Sequence, residues 1–156
     1  YVTGVEVGIG SNGRKNRGGH QMEALVEEHL KNACVEYYKE MYLTEIENKW
    51  NIDLSAVSAK GTSTKRWDFV VKTKSKIFVI ETNFYASSGS KLNETARSYK
   101  MIAEEAKEIP NFEFVWITDG AGWKDAKRNL EETFIVLENL YNITDMENGI
   151  FNRIFE

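Results

Sequence analysis

Two acidic residues stand where acids are costly. Glu81 follows the run Lys76-Ile77-Phe78-Val79-Ile80 and leads into Thr82-Asn83-Phe84, while Asp68 sits between Trp67 and Phe69-Val70-Val71. A carboxylate in such company is expensive unless it is paired or bound to metal. Both stretches read as strands, and Lys74-Ser75 reads as the turn of an antiparallel hairpin. Asp68 is the seventh residue back from the Lys74–Ser75 junction and Glu81 the seventh forward. Residues so spaced can be direct cross-strand neighbours on one face. Two carboxylates forced together repel, and a divalent cation between them relieves the repulsion. Mg²⁺ held in this way polarises a phosphodiester and lowers the pKa of a bound water. The competing assignment pairs Asp68 with Arg66 or Lys72 and Glu81 with a surface lysine; the spacing alone leaves both open.

The elements around this hairpin follow from periodicity. Alternation along Lys76–Phe84 places Glu81 and Asn83 on the face of Ile77 and Val79. Apolar residues spaced by three and four predict an amphipathic helix from His20 to about Tyr42, with Glu23 on the shoulder of its apolar stripe and Cys34 as inert packing within it. Ahead of it, Gly10–Gly19 reads as a flexible glycine-rich loop carrying Arg14, Lys15 and Arg17, cations suited to phosphate or base edges; an ordinary solvated loop fits equally. Val2–Ile9 reads as a short strand or arm, and Asp53–Ala59 as a weak strand before the Gly61–Thr64 turn. Ser87–Ser90 forms a loop, Lys91–Glu108 a helix ended by Pro110, and Glu113–Thr118 a buried strand. Asp119-Gly120-Ala121-Gly122 turns into a helix over Trp123–Tyr141, and a turn with a short helix completes the chain. The order is α-β-β-β-α-β-α: an α/β chain of α+β type with a central mixed sheet flanked by helices.

The bulk properties set limits. One domain over 1–156 suits the length, and 42% hydrophobic with 28% charged residues is an ordinary globular balance. No apolar run approaches the ~20 residues of a membrane span, so no membrane partner is expected. One cysteine forms no internal disulfide, which fits a reducing bacterial cytoplasm, and too few soft ligands are present for structural zinc. The net charge of -4 hides a split: six cations lie between Lys60 and Lys76, and the acids collect elsewhere. Cations on phosphate and carboxylates on metal are what a nuclease uses.

An acid on one strand followed by Glu-x-Lys on the next is the pattern of the PD-(D/E)xK nuclease superfamily. The runs Glu81-Thr82-Asn83-Phe84-Tyr85 and Gly89-Ser90-Lys91-Leu92-Asn93-Glu94-Thr95-Ala96-Arg97-Ser98-Tyr99-Lys100 resemble the DpnII/MboI family within it. So do Gly19-His20-Gln21-Met22-Glu23-Ala24-Leu25-Val26-Glu27-Glu28 and Phe114-Val115-Trp116-Ile117-Thr118-Asp119-Gly120. The resemblance covers nearly the whole chain. It implies a restriction-endonuclease-like core and a type II restriction enzyme that hydrolyses double-stranded DNA at GATC with Mg²⁺, as a homodimer on its palindrome. Family members extend further at the N-terminus, so the chain is expected to be their C-terminal catalytic part. Asp68 and Glu81 become the metal ligands, and Glu23 matches a helix acid many superfamily members place beside the metal. Asn83 stands where lysine is usual, and what orients the water is open; Lys65, Lys72 or Lys91 could supply the cation. The loop after the catalytic strand and the next helix, with Ser90, Lys91, Asn93 and Arg97, are candidates for DNA contact. A DNA-binding module without catalysis, or a repair nickase on the same fold, is the alternative.

Overall fold

The computed structural model describes residues 11–57, 65–87, 89–126 and 135–156, without the side chains of residues 11–20, 125 and 126. The first helix, α1, runs Ser11–Asn32. The reading of Gly10–Gly19 as a loop is therefore corrected from Ser11 onward. Adding a turn to an existing helix needs no new nucleus, so propagation from the amphipathic part outweighs about 1 kcal/mol per glycine. The side chains of Arg14, Lys15 and Arg17, and the whole of Val2–Ile9, lie outside the described residues.

The same helix also ends earlier than its periodicity predicts. Cys34 takes a left-handed backbone (φ 57) and is exposed, so it is a turn residue and not core packing. Glu36–Tyr42 then forms strand β1, antiparallel to the next strand. Tyr37, Tyr38 and Met41 match helical spacing, yet aromatic side chains gain more on a pleated surface beside a partner strand. The first strand is thus here, and Asp53–Val57 is not strand but a short turn-rich connection after helix α2, Leu43–Trp50. Residues 58–64 lie outside the described set.

Strands β2 (Arg66–Lys72) and β3 (Ile77–Phe84) form the predicted hairpin. Helix α3, Ser90–Ala106, crosses to β4, Phe112–Asp119, which lies parallel to β3. A short helix α4, Trp123–Ala126, follows. The helix predicted over Trp123–Tyr141 does not reach its end: Leu140–Tyr141 is strand β5, parallel to β4, and residues 127–134 are outside the described set. Helices α5, Ile143–Glu147, and α6, Ile150–Ile154, close the chain. The described sheet has the order β1-β2-β3-β4-β5, antiparallel through β3 and parallel beyond it.

Both faces of the sheet are covered, which is why β3 and β4 are apolar on both sides. One layer joins Leu43, Ile46, Leu92, Ala96 and Tyr99 to Val70, Val79 and Trp116. The other joins Met22, Val26 and Leu30 of α1, with Ile143, Met146 and Phe151, to Phe69, Phe78, Ile80 and Val115. His29 belongs to this second layer, edge-on to Phe151 at 6.5 Å, as a structural residue. No helix among the described residues is long and apolar enough to cross a membrane.

Candidate active site

The hairpin register places Phe69 opposite Ile80, Val70 opposite Val79 and Val71 opposite Phe78. Continued by one step, it puts Asp68 opposite Glu81, as the count from the turn allows. Beside Asp68 the pleat is broken. On β1, Lys39 pairs with Phe69 and Met41 with Trp67, while Glu40 between them is left-handed (φ 53). On β2, Trp67 packs in the layer of Val70, although Phe69 and Val71 pack in the opposite layer. A regular strand would put Trp67 and Phe69 on one face. Both strands therefore change phase at the Glu40–Asp68 step, where a non-glycine left-handed residue costs on the order of 1–2 kcal/mol.

Asp68 is oriented by β3. Its Oδ2 accepts the Thr82 backbone N–H at 2.9 Å and the Thr82 hydroxyl at 3.4 Å. Neither alternative partner takes it: Arg66 faces Glu40 at 3.9 Å, and Lys72 Nζ donates to the Thr73 carbonyl. Glu81 is 4% exposed. Burial first, and then the charge of Asp68, push its carboxyl up to about 8, against an opposing pull from Lys65. Lys65 Nζ forms an ion pair with Glu81 Oε1, so the reading that gave Glu81 a lysine partner holds in part. The same ammonium lies 5.1 Å from the Trp67 ring centroid and 5.7 Å from that of Tyr99.

Asn83 shares the face of Glu81 and is half-buried. Its Oδ1 accepts the Trp116 Nε1–H. Trp116 is wholly buried and packs edge-on to Tyr99 at 4.8 Å and Trp123 at 5.3 Å. Burial raises the Tyr99 phenol above its ordinary value, the charge on Glu81 adds to this, and the Asn83 amide opposes it. The acids thus border an aromatic wall of Tyr99, Trp116 and Trp123 that the sequence reading did not assemble. The available signal was Trp116 itself, which the parallel register sets opposite Glu81.

The β3–β4 junction is fixed from behind. Tyr85 N–H donates to the Asp119 carbonyl at 2.9 Å, and Gly122 N–H donates to the Tyr85 carbonyl at 2.9 Å. Gly120 (φ 120) passes so close that a Cβ there would lie 2.1 Å from the Tyr85 carbonyl oxygen. The buried Asp119 carboxylate accepts the Gly120 N–H at 2.8 Å and the Ile143 N–H at 3.1 Å, tying β4 to the start of α5.

The other predicted residues are carried by α1 and α3, and the side chains of Arg14, Lys15 and Arg17 lie outside the described residues. Glu23 is half-buried on α1, which packs against the layer of Phe69, Phe78 and Ile80. Among the described residues no three His, Cys, Asp or Glu side chains cluster as a metal site, so Glu23 does not join Asp68 and Glu81. Ser90, Lys91 and Arg97 are exposed on α3. Asn93 is half-buried on the same helix, with a buried Oδ1 that accepts no hydrogen bond from the described residues.

A mixed sheet between helical layers, with acids paired at the end of its central hairpin, is a restriction-endonuclease-like fold. The chain belongs to the DpnII restriction endonuclease family, whose sequence model matches residues 1–153. It is 54% identical over 158 aligned residues to the type II restriction enzyme DpnII of Streptococcus pneumoniae, covering 99% of this chain and 55% of that protein. Identity to the type II restriction enzyme MboI of Moraxella bovis is 45%, over 96% of this chain and 51% of the relative. For MjaIII of Methanocaldococcus jannaschii it is 37%, over 99% and 54%. The chain spans about half the length of these curated relatives. No solved structure matches it.

Proposed function

We propose that this chain carries the cleavage site of a type II restriction endonuclease that hydrolyses both strands of DNA at GATC with Mg²⁺. The observation that carries the reading is the Asp68–Glu81 pair, in which a buried carboxyl is raised to about 8 partly by its acidic neighbour. Such a pair fits a hard divalent cation: the donors are carboxylate oxygens, and one lysine stands against the two acids. Asp68 and Glu81 would hold the ion. When bound, Mg²⁺ offsets charge on the phosphate and eases loss of a proton from water.

The chain's own residues do the rest. Thr82 fixes the Asp68 carboxylate, and the Trp116 bond fixes the Asn83 amide beside it. Water oxygen bonds to phosphorus, one bridging P–O bond breaks, and the leaving oxygen takes up a proton, giving a phosphomonoester and a hydroxyl. Arg14, Lys15 and Arg17 serve the phosphate backbone in this reading, and Ser90, Lys91, Asn93 and Arg97 a groove next to the catalytic strand. A palindrome read symmetrically calls for a homodimer, and the protein works beside DNA in the bacterial cytoplasm.

The test is plasmid cleavage by the full-length protein with Mg²⁺, with EDTA, and with Asp68→Ala, followed by sequencing of the ends. Double-strand ends at GATC that vanish with EDTA and with the variant are expected. Nicked circles alone would mean a nickase, and retention without cutting would mean a binding module. Either outcome refutes the reading.

A further inference from the structure

We propose that Lys65 is the catalytic cation of this site, released from Glu81 to the scissile phosphate once a divalent ion engages the acids. The inference rests on the nuclease reading above and supplies what Asn83 cannot. Asn83 is neutral, and its carbonyl oxygen is committed to Trp116. Lys65 lies immediately before β2, three residues from Asp68, and its carbonyl accepts the Leu43 N–H at 3.0 Å. Its backbone is therefore anchored, and a four-carbon stem separates that anchor from the ammonium.

The two other lysines considered from sequence are placed elsewhere. Lys72 is at the far end of the β2–β3 ladder, opposite Ile77, with its ammonium on the Thr73 carbonyl. Lys91 is exposed in the first turn of α3. Lys65 alone of the three forms an ion pair with Glu81.

Charge balance gives the direction of the exchange. Without metal, two acid side chains face one ammonium. A divalent ion neutralises both acids by itself, which leaves the ammonium surplus by one unit. The phosphodiester brings one negative charge to the same place. The Lys65 side chain is 29% exposed, so its head can swing toward solvent and DNA. The faces of Trp67 and Tyr99, at 5.1 and 5.7 Å, favour a cation close by through that swing. Donors aimed at charge that develops in the transition state are worth about 10²–10³ in rate.

The full-length protein with Lys65→Met, Lys65→Gln and Lys65→Arg is compared with wild type by two measurements. The first is Mn²⁺ binding without DNA, read by electron paramagnetic resonance. The second is single-turnover cleavage of a GATC duplex with Mg²⁺. Lys65→Met should bind Mn²⁺ several-fold more tightly, because the ion's competitor for Glu81 is gone, yet cleave about a hundredfold more slowly. Lys65→Arg should fall between it and wild type in cleavage. Cleavage within about threefold of wild type overturns the assignment. So does a fall of Mn²⁺ affinity in step with cleavage, since Lys65 would then only arrange the acids. Loss of folding in both uncharged variants makes Lys65 structural and also overturns it. A wild type that cuts nothing refutes the nuclease reading separately; tighter Mn²⁺ binding in Lys65→Met would still support the exchange, and equal or weaker binding would sink it.

Discussion

Burying Glu81 beside Asp68 has a measurable consequence for folding. Its ordinary pKa is 4.5 and its folded value is about 8. Between those values the folded chain holds a proton that the unfolded chain has lost. Stability is therefore greatest below pH 4.5 as far as this group is concerned, and it falls as pH rises through 8. At 1.36 kcal/mol per unit the limiting loss is about 5 kcal/mol, and structural relaxation should bring the observed loss at pH 8 to on the order of 2–4 kcal/mol. Glu81→Gln keeps the shape and removes the titration. Lys65, with its partly exposed side chain, can turn to water when its partner is neutral. Urea unfolding in EDTA at pH 5.5, 7 and 8.5 should show the wild-type midpoint falling more steeply with pH than that of the variant, and the variant more stable at pH 8.5. Saturating Mg²⁺ should restore wild type by about 2.7 kcal/mol at a hundredfold excess over its dissociation constant, with little effect on Glu81→Gln. Parallel pH profiles for the two proteins would refute the reasoning, because Glu81 would then titrate alike in the folded and unfolded chains.

Three further outcomes can be measured. Gly120→Ala forces a Cβ to 2.1 Å from the Tyr85 carbonyl oxygen on a backbone at φ 120, and should lower stability by more than about 2 kcal/mol in thermal or urea unfolding. Asp119→Ala leaves the Ile143 and Gly120 N–H groups without their acceptor and should cost roughly 2–4 kcal/mol by the same assay, with Asp119→Asn costing less. Arg14→Ala should weaken DNA binding at low salt and reduce the slope of log K against log salt by about one, and an unchanged slope in filter binding would remove Arg14 from the phosphate contacts.

The legible parts of this fold are those in which one local signal dominates. Lys74-Ser75 sits between two apolar runs, so the turn fixed the register up to Phe69–Ile80, which leaves Asp68 and Glu81 as neighbours. Pro110 and the apolar Phe112–Asp119 likewise marked α3 and the parallel β4. Around residues 33–42 two signals conflict. Spacing by three and four continues through Tyr37 and Met41, but a left-handed Cys34 ends the helix and β2 recruits Glu36–Tyr42 as β1. Such pairing depends on a strand some 30 residues away, and no local window contains it. The same holds for β5, two residues long and defined only by β4.

The residue at 83 shows how the site and the core constrain each other. Asn83 faces Trp116, which is buried against Tyr99 and Trp123. An ammonium at that position would surrender its hydration inside an aromatic layer, with Glu81 as its nearest counter-charge already shared with Lys65. It would also deprive the Trp116 indole N–H of its acceptor in a buried place, a loss of about 1–3 kcal/mol. A neutral amide avoids both penalties. A positive charge entering from Lys65, at the partly exposed edge of the hairpin, reaches the same carboxylate without crossing the wall. On the nuclease reading proposed above, a lysine on β3 and a lysine before β2 are two solutions to one electrostatic need, and the tryptophan in β4 favours the second.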